Sequence, residues 1–237
     1  MKRIIFFDMD GTLYDANLAY ERGLLLAWEC YDASIGCVEV KLPQLRFEEF
    51  RNYYDLSRII VKRRIPNSTS VHSRLLYFKQ LLETISGRSM PKLTLELNLA
   101  YDSAVNETSF EGVRNILERI ASERLIGLIT NQLCQTQLQK LKYLDPNGKL
   151  IHWVITSEEV GVEKPLPGIF QEAFRRASCT AQDVIFVGDD WQNDIEPALN
   201  LGMVPVYVSR TAPYFSNNMD VIWISDLKDL SGAIEKV

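Results

Sequence analysis

Five short apolar runs, at residues 4–7, 125–129, 153–155, 184–187 and 204–208, each stop at polar or small residues, with helically spaced sequence between them. Strands that alternate with helices predict a parallel sheet covered on both faces, because parallel neighbours need a long crossover and the usual crossover is a helix. Residues 133–143, 168–177 and 192–201 read as crossover helices, and a run at 221–224 adds a last strand before a helix near 227–235. Between about residues 17 and 101 the strand signals give way to long helical patterns, at 19–31, 47–64, 70–85 and 93–105. Pro66-Asn67-Ser68-Thr69-Ser70 supplies a turn and a helix cap there, and residues 87–91 a second break. The expected fold class is α/β. Its sheet core is discontinuous, formed by residues 1–16 and 106–237, with an all-helical insertion at 17–105.

At 237 residues, 46% hydrophobic and 24% charged, the chain can build one sizeable core and a smaller accessory domain. A formal net charge of −5 argues against a general nucleic-acid binder. No stretch approaches the roughly 18 consecutive apolar residues of a membrane span. Only four apolar residues separate Met1-Lys2-Arg3 from Asp8, too few for a secretory signal. Cys30, Cys37, Cys134 and Cys179 are widely spaced, which favours reduced thiols over a disulfide frame or a zinc site. A soluble cytoplasmic protein is expected, with no membrane or nucleic-acid partner; the oligomeric state is not legible. Residues 41–92 carry 11 Lys/Arg against 4 Asp/Glu, read as a solvated helical surface, with attraction of an anionic substrate as the alternative.

The chemistry begins where the first run ends. Asp8-Met9-Asp10-Gly11-Thr12-Leu13 sets two carboxylates one residue apart, and both emerge on one face if the strand stays regular. Two like charges so near are costly unless a cation or a shared proton separates them. Such a pair suits Mg²⁺, which usually binds through one or two carboxylates together with waters and substrate phosphate. The competing reading is a strand that closes in an acidic turn. After the second run, Thr130-Asn131 offers a hydroxyl and an amide at a helix start, fit either for phosphate or for a simple cap. Glu163-Lys164-Pro165-Leu166-Pro167 holds an ammonium on a stiff loop. The fourth run ends in Gly188-Asp189-Asp190, with Asp194 five residues after Asp189. Ligands of parallel sheets bind beyond the carboxyl ends of strands, so these acids and those of the first run can meet over one crevice. Dipole-driven enrichment at a helix start accounts for Asp190 better than for Asp189 and Asp194 together.

Taken in order, Asp8-Met9-Asp10-Gly11-Thr12, Thr130-Asn131, Lys164-Pro165 and Gly188-Asp189-Asp190 through Asn193-Asp194 resemble the four motifs of the haloacid dehalogenase (HAD) superfamily. The helical insertion between the first and second resembles the cap of its type I members. The resemblance implies a Rossmann-like sheet with an α-helical cap domain, Mg²⁺ as cofactor and an aspartyl intermediate. Carried over by position, it implies Asp8 as nucleophile and Asp10 as general acid and base. Thr130, Asn131 and Lys164 are the implied substrate-binding residues, with Thr130 and Lys164 also counted as catalytic. The implied metal ligands are Asp8, Asp189 and the backbone carbonyl of Asp10, with Asp190 and Asp194 in support, Asp194 anchoring a metal-bound water or Lys164. The second aspartate separates phosphatases from the dehalogenases of this superfamily, which need no acid for the leaving group. The expectation is a phosphomonoester phosphatase acting on a small phosphorylated metabolite. The alternatives are another phosphoryl transferase such as a phosphomutase, or a catalytically silent binding or scaffold protein. For Tyr14, Tyr20, Phe47, Phe50, Tyr53 and Tyr54, helical spacing favours core packing over a pocket lining.

Overall fold

The computed structural model describes residues 4–66, 68–106, 110–211 and 220–235, so expectations that fall on residues 1–3 and on Asn67 lie outside the described residues. Two compact units result, one from Met1–Asp15 and Ser109–Val237, the other from Ala16–Thr108.

The first unit is built on a six-stranded parallel sheet of β1 (Ile4–Phe7), β2 (Leu125–Thr130), β3 (Ile151–Thr156), β4 (Val184–Gly188), β5 (Val204–Val208) and β6 (Ile222–Ile224), in the order β3-β2-β1-β4-β5-β6. The fold is α/β, as the alternating runs predict. Central β1 is apolar and buried at all four positions because both of its faces are covered. Ile4 and Phe6 point to one side, where they join Ile169, Phe170, Ala198 and Met203 in a continuous cluster. Phe6 also explains Gly127, its partner in the β1–β2 register, since a Cβ at Gly127 would run into the Phe6 ring.

Along the chain the α-helices are α1 (Ala16–Ser34), α2 (Phe47–Arg64), α3 (Arg74–Ser86), α4 (Pro91–Asn106), α5 (Glu111–Ala121), α6 (Cys134–Leu144), α7 (Ser157–Val160), α8 (Pro167–Ala177), α9 (Glu196–Leu201) and α10 (Leu230–Ala233). The first four form the second unit around its own core of Leu24, Tyr31, Phe50, Tyr54, Phe78 and Tyr101. Phe50 and Tyr54 are thus core residues, with Tyr20, Phe47 and Tyr53 packed against them. The helix expected at 70–85 is a short 3₁₀ turn, Thr69–His72, followed by α3, because the Ser73 hydroxyl caps a new start by accepting from the Leu76 N–H. The helix expected at 192–201 is a wide turn, Trp191–Ile195, and then α9, whose Pro197 lacks the N–H that a continuous helix would need. Helices α5 and α7 lie outside the predicted pattern. The first is amphipathic, with Leu117 and Ile120 buried.

Candidate active site

Thr130, Asp8 and Asp189 stand at or just past the carboxyl ends of three adjacent strands, β2, β1 and β4, the crevice in which open parallel sheets bind ligands. Beyond β1 the chain leaves strand geometry. The Asp8 N–H still bonds the Val187 carbonyl at 2.9 Å, but Leu13 N–H turns back to the Met9 carbonyl at 3.0 Å. The two acids therefore part company: Asp8 accepts from Lys164 Nζ at 2.7 Å, whereas Asp10 accepts from Lys140 Nζ, the Tyr14 hydroxyl and, at 2.7 Å, Gln137 Nε2. Gly11 makes the turn possible with φ +99°, and a Cβ there would occupy the space of the Asp189 carboxylate. Thr12 Oγ1 donates to Asp189 Oδ1 at 2.7 Å and fixes that acid against the turn.

Lys164 is buried, and its ammonium bridges Asp8 Oδ1 and Asp194 Oδ1, the latter at 2.6 Å. Asn131 locks its loop through a pair of bonds with the Lys164 backbone: Nδ2 donates to the carbonyl at 2.8 Å, and Oδ1 accepts the N–H at 2.7 Å. Asp190 caps the wide turn after β4 by accepting from the Gln192 and Asn193 N–H groups. Gly188 is needed because Asp194 fills the place of any Cβ there.

Ligand oxygens of Asp8, Asp189 and Asp194 all lie within 4.8 Å of one another. Burial pushes the Asp8 carboxyl upward more strongly than the Lys164 ammonium pulls it down, and the Asp194 and Asp10 charges add to the rise. Burial likewise pushes Asp189 up to about 6, against the Thr12 hydrogen bond, and raises Asp194 despite Lys164. Burial of Lys164 favours its neutral amine, yet the Asp194 and Asp8 carboxylates outweigh that and hold its pKa above the ordinary lysine value. Burial is the first cause for each acid, and the imbalance of charge adds to it: a single ammonium faces three carboxylates, so two negative charges are left uncompensated. Oxygen-only donors with excess negative charge suit a hard divalent cation. Asp8, Asp10, Thr130, Asn131, Lys164, Asp189, Asp190, Asn193 and Asp194 all line one pocket of about 170 Å³. That is well below the roughly 300–1,000 Å³ that encloses a whole small ligand, so it suits a charged head group. Larger cavities lie elsewhere, one of them walled by Cys30, Val38 and Met90 within the helical unit, without such a cluster of charged groups.

Gln137 and Lys140 complete the site and were not singled out from sequence. Their signal was present: on α6 they hold core-facing positions in register with Leu141 and Leu144, where an amphipathic helix normally carries apolar residues.

A sheet of this topology with an acidic cluster over β1 and β4 defines the class. The haloacid dehalogenase-like hydrolase model matches residues 2–202, and the chain belongs to that family. Among its relatives, a ribulose-1,5-bisphosphate 5-phosphatase of Halopiger xanaduensis is 31% identical over 87% of this chain and 84% of its own length. A glyceraldehyde 3-phosphate phosphatase of Methanopyrus kandleri is 30% identical over 89% of this chain and 85% of its own length. In fold, the chain is similar to a 2-haloacid dehalogenase of Pseudomonas syringae pv. Tomato DC3000, with TM-score 0.70, 20% identity and 98% coverage of both chains. The chain is a hydrolase of the phosphatase kind. No described helix is long and apolar enough to cross a membrane.

Proposed function

We propose that this protein is a Mg²⁺-dependent phosphomonoester hydrolase that works through a phosphoryl group carried on Asp8, with a small phosphorylated metabolite as substrate. The observation that carries the reading is the convergence of Asp8, Asp189 and Asp194 around Lys164 at the carboxyl ends of β1 and β4. Asp8 and Asp189, with the Asp10 carbonyl, would hold Mg²⁺, and Asp194 would support them through Lys164. When bound, the ion supplies the positive charge that the cluster lacks and that phosphoryl transfer needs.

In the first step an Asp8 carboxylate oxygen bonds phosphorus while the ester P–O bond breaks, and the departing oxygen takes a proton from Asp10. In the second, a water gives its proton back to Asp10 and attacks phosphorus, which frees Asp8 and releases inorganic phosphate. Thr130 and Lys164 hold the phosphoryl oxygens, a task of positioning and charge stabilisation. Asn131 serves this by fixing Lys164, and Asp190 by shaping the turn that carries Asp194. Substrate choice is assigned to a helical cap at about residues 17–105. The names of the relatives favour a sugar or triose phosphate as substrate. The reading includes a cytoplasmic setting, expected from the cysteine spacing.

Hydrolysis of an aryl phosphate and of a panel of sugar phosphates, with Mg²⁺ and with chelator, tests this. Metal-dependent turnover that disappears in Asp8→Asn is expected. Full activity in that variant, or no turnover on any phosphate ester, overturns it.

A further inference from the structure

Helix α6 spends two core-facing positions on polar side chains. Gln137 is fully buried and Lys140 nearly so, and burying an amide and an ammonium is costly unless both are paired. Their partners are in the site. Lys140 Nζ donates to Asp10 Oδ1, which also accepts from the Tyr14 hydroxyl, and the ammonium lies 5.3 Å from the centre of the Tyr14 ring. Gln137 Nε2 donates both to Asp10 Oδ2 at 2.7 Å and to Thr130 Oγ1 at 2.6 Å. Its Oε1 is buried without a hydrogen-bond partner. Turning the amide over would set that oxygen against the Asp10 carboxylate, so the side chain keeps two donations at the expense of an orphaned acceptor. A helix optimised for stability alone would place apolar residues at both positions.

We propose that Gln137 and Lys140 are positioning residues that fix the Asp10 carboxyl group for proton exchange with the leaving oxygen and with the attacking water. The proposal rests on the acid–base assignment of Asp10 made above. Asp10 follows β1 on a turn, so its backbone alone does not set the plane of its carboxyl group. Donors on α6 engage both oxygens, and the Gln137 amide sets the place of Oδ2 relative to Thr130, the residue assigned to the phosphoryl oxygens. Neither Gln137 nor Lys140 transfers a proton: Asp10 gives its proton to the leaving oxygen as the P–O bond breaks and recovers one from water in the second step.

An activated aryl ester needs little help from an acid, because its leaving group departs as a stable anion, whereas an alkyl ester needs that proton. Lys140→Met, Gln137→Leu and Asp10→Asn are compared with the parent enzyme, with folding checked by thermal melting and Mg²⁺ kept saturating. First-turnover release of the aryl leaving group and kcat on a sugar phosphate are measured. A positioned acid contributes on the order of 10²-fold or more, so the sugar phosphate kcat of each variant is expected to fall by about that factor with KM little changed. The loss in first-turnover aryl release is expected to be at least about tenfold smaller. Equal losses on both esters in folded Lys140→Met or Gln137→Leu overturn the proposal, because a merely structural role scales both alike. If Asp10→Asn shows the selective loss and the α6 variants do not, positioning fails and the acid–base assignment survives. Equal losses in Asp10→Asn remove that assignment and the proposal with it. Should Lys140→Met not fold, Gln137→Leu carries the same comparison.

Discussion

Metal should stabilise this protein more as pH rises, and the site fixes both the sign and the size of the effect. In the metal-free protein burial lifts Asp189 from 3.8 to about 6, and Asp8 and Asp194 shift the same way. A carboxyl whose folded pKa is raised binds more protons in the folded state than in the unfolded one. Stability therefore falls as pH climbs through the window from about 3.8 to about 6 for Asp189 and on to about 7 for Asp8. Lys164 is displaced upward from 10.5, so its contribution changes only above that pH. At about 1.4 kcal/mol per pKa unit, Asp189 alone accounts for a ceiling of about 3 kcal/mol, reduced by its partial exposure. A divalent cation cancels the excess charge and removes that penalty, while competing less with protons at higher pH. The stability increment between saturating Mg²⁺ and chelator, read from Tm by calorimetry at steps from pH 5 to pH 8, should grow by about 1–3 kcal/mol. For a protein of this size that is about 2–12 °C. Taking the difference cancels groups remote from the site, such as Glu172, which its Arg175 and Arg176 partners hold down at about 2. An increment that stays flat or shrinks with rising pH would refute the reasoning that uncompensated carboxylates define the site.

Removing the cation of the cluster should act in the same currency: Lys164→Met strands buried Asp8 and Asp194 and should cost about 3–5 kcal/mol in urea unfolding, part of it recovered with Mg²⁺. An unchanged midpoint would sink this account. Asn131→Ala breaks both bonds to the Lys164 backbone and should cost about 1–3 kcal/mol while lowering kcat at least about tenfold; full kcat would show that the loop holds itself. Gly11→Ala forces φ +99° on a residue with a Cβ and drives that carbon into Asp189, so calorimetric Mg²⁺ affinity should drop at least about tenfold, with equal affinity as the contrary result.

Much of the architecture was legible in local pattern. The runs at 4–7 and 204–208 coincide with β1 and β5, and the helical pattern at 47–64 coincides with α2, because burial on both faces and helical spacing write themselves directly into residue order. Helix α5 was legible too, with Ile116, Leu117 and Ile120 at helical spacing, but it lay outside the expected alternation of long crossovers. The 3₁₀ turn before α3 was harder to read, since the Ser73 cap that restarts the helix competes with an uninterrupted helical pattern.

Sequence order pointed to Asp8, Thr130, Lys164 and Asp189, each at a strand end or on a proline-flanked loop, and the structure sets all four in one pocket. It did not carry who pairs with whom. Asp8 and Asp10, two residues apart, take different ammonium partners because the strand ends at Phe7 and the turn at Gly11 sends their side chains apart. Lys140 reaches Asp10 across 130 positions and Lys164 reaches Asp194 across 30. Such pairings arise only when parallel strands align their carboxyl ends and bring α6 and the Lys164 loop beside them, since charge neutralisation in a buried site depends on distance in space and not on distance along the chain.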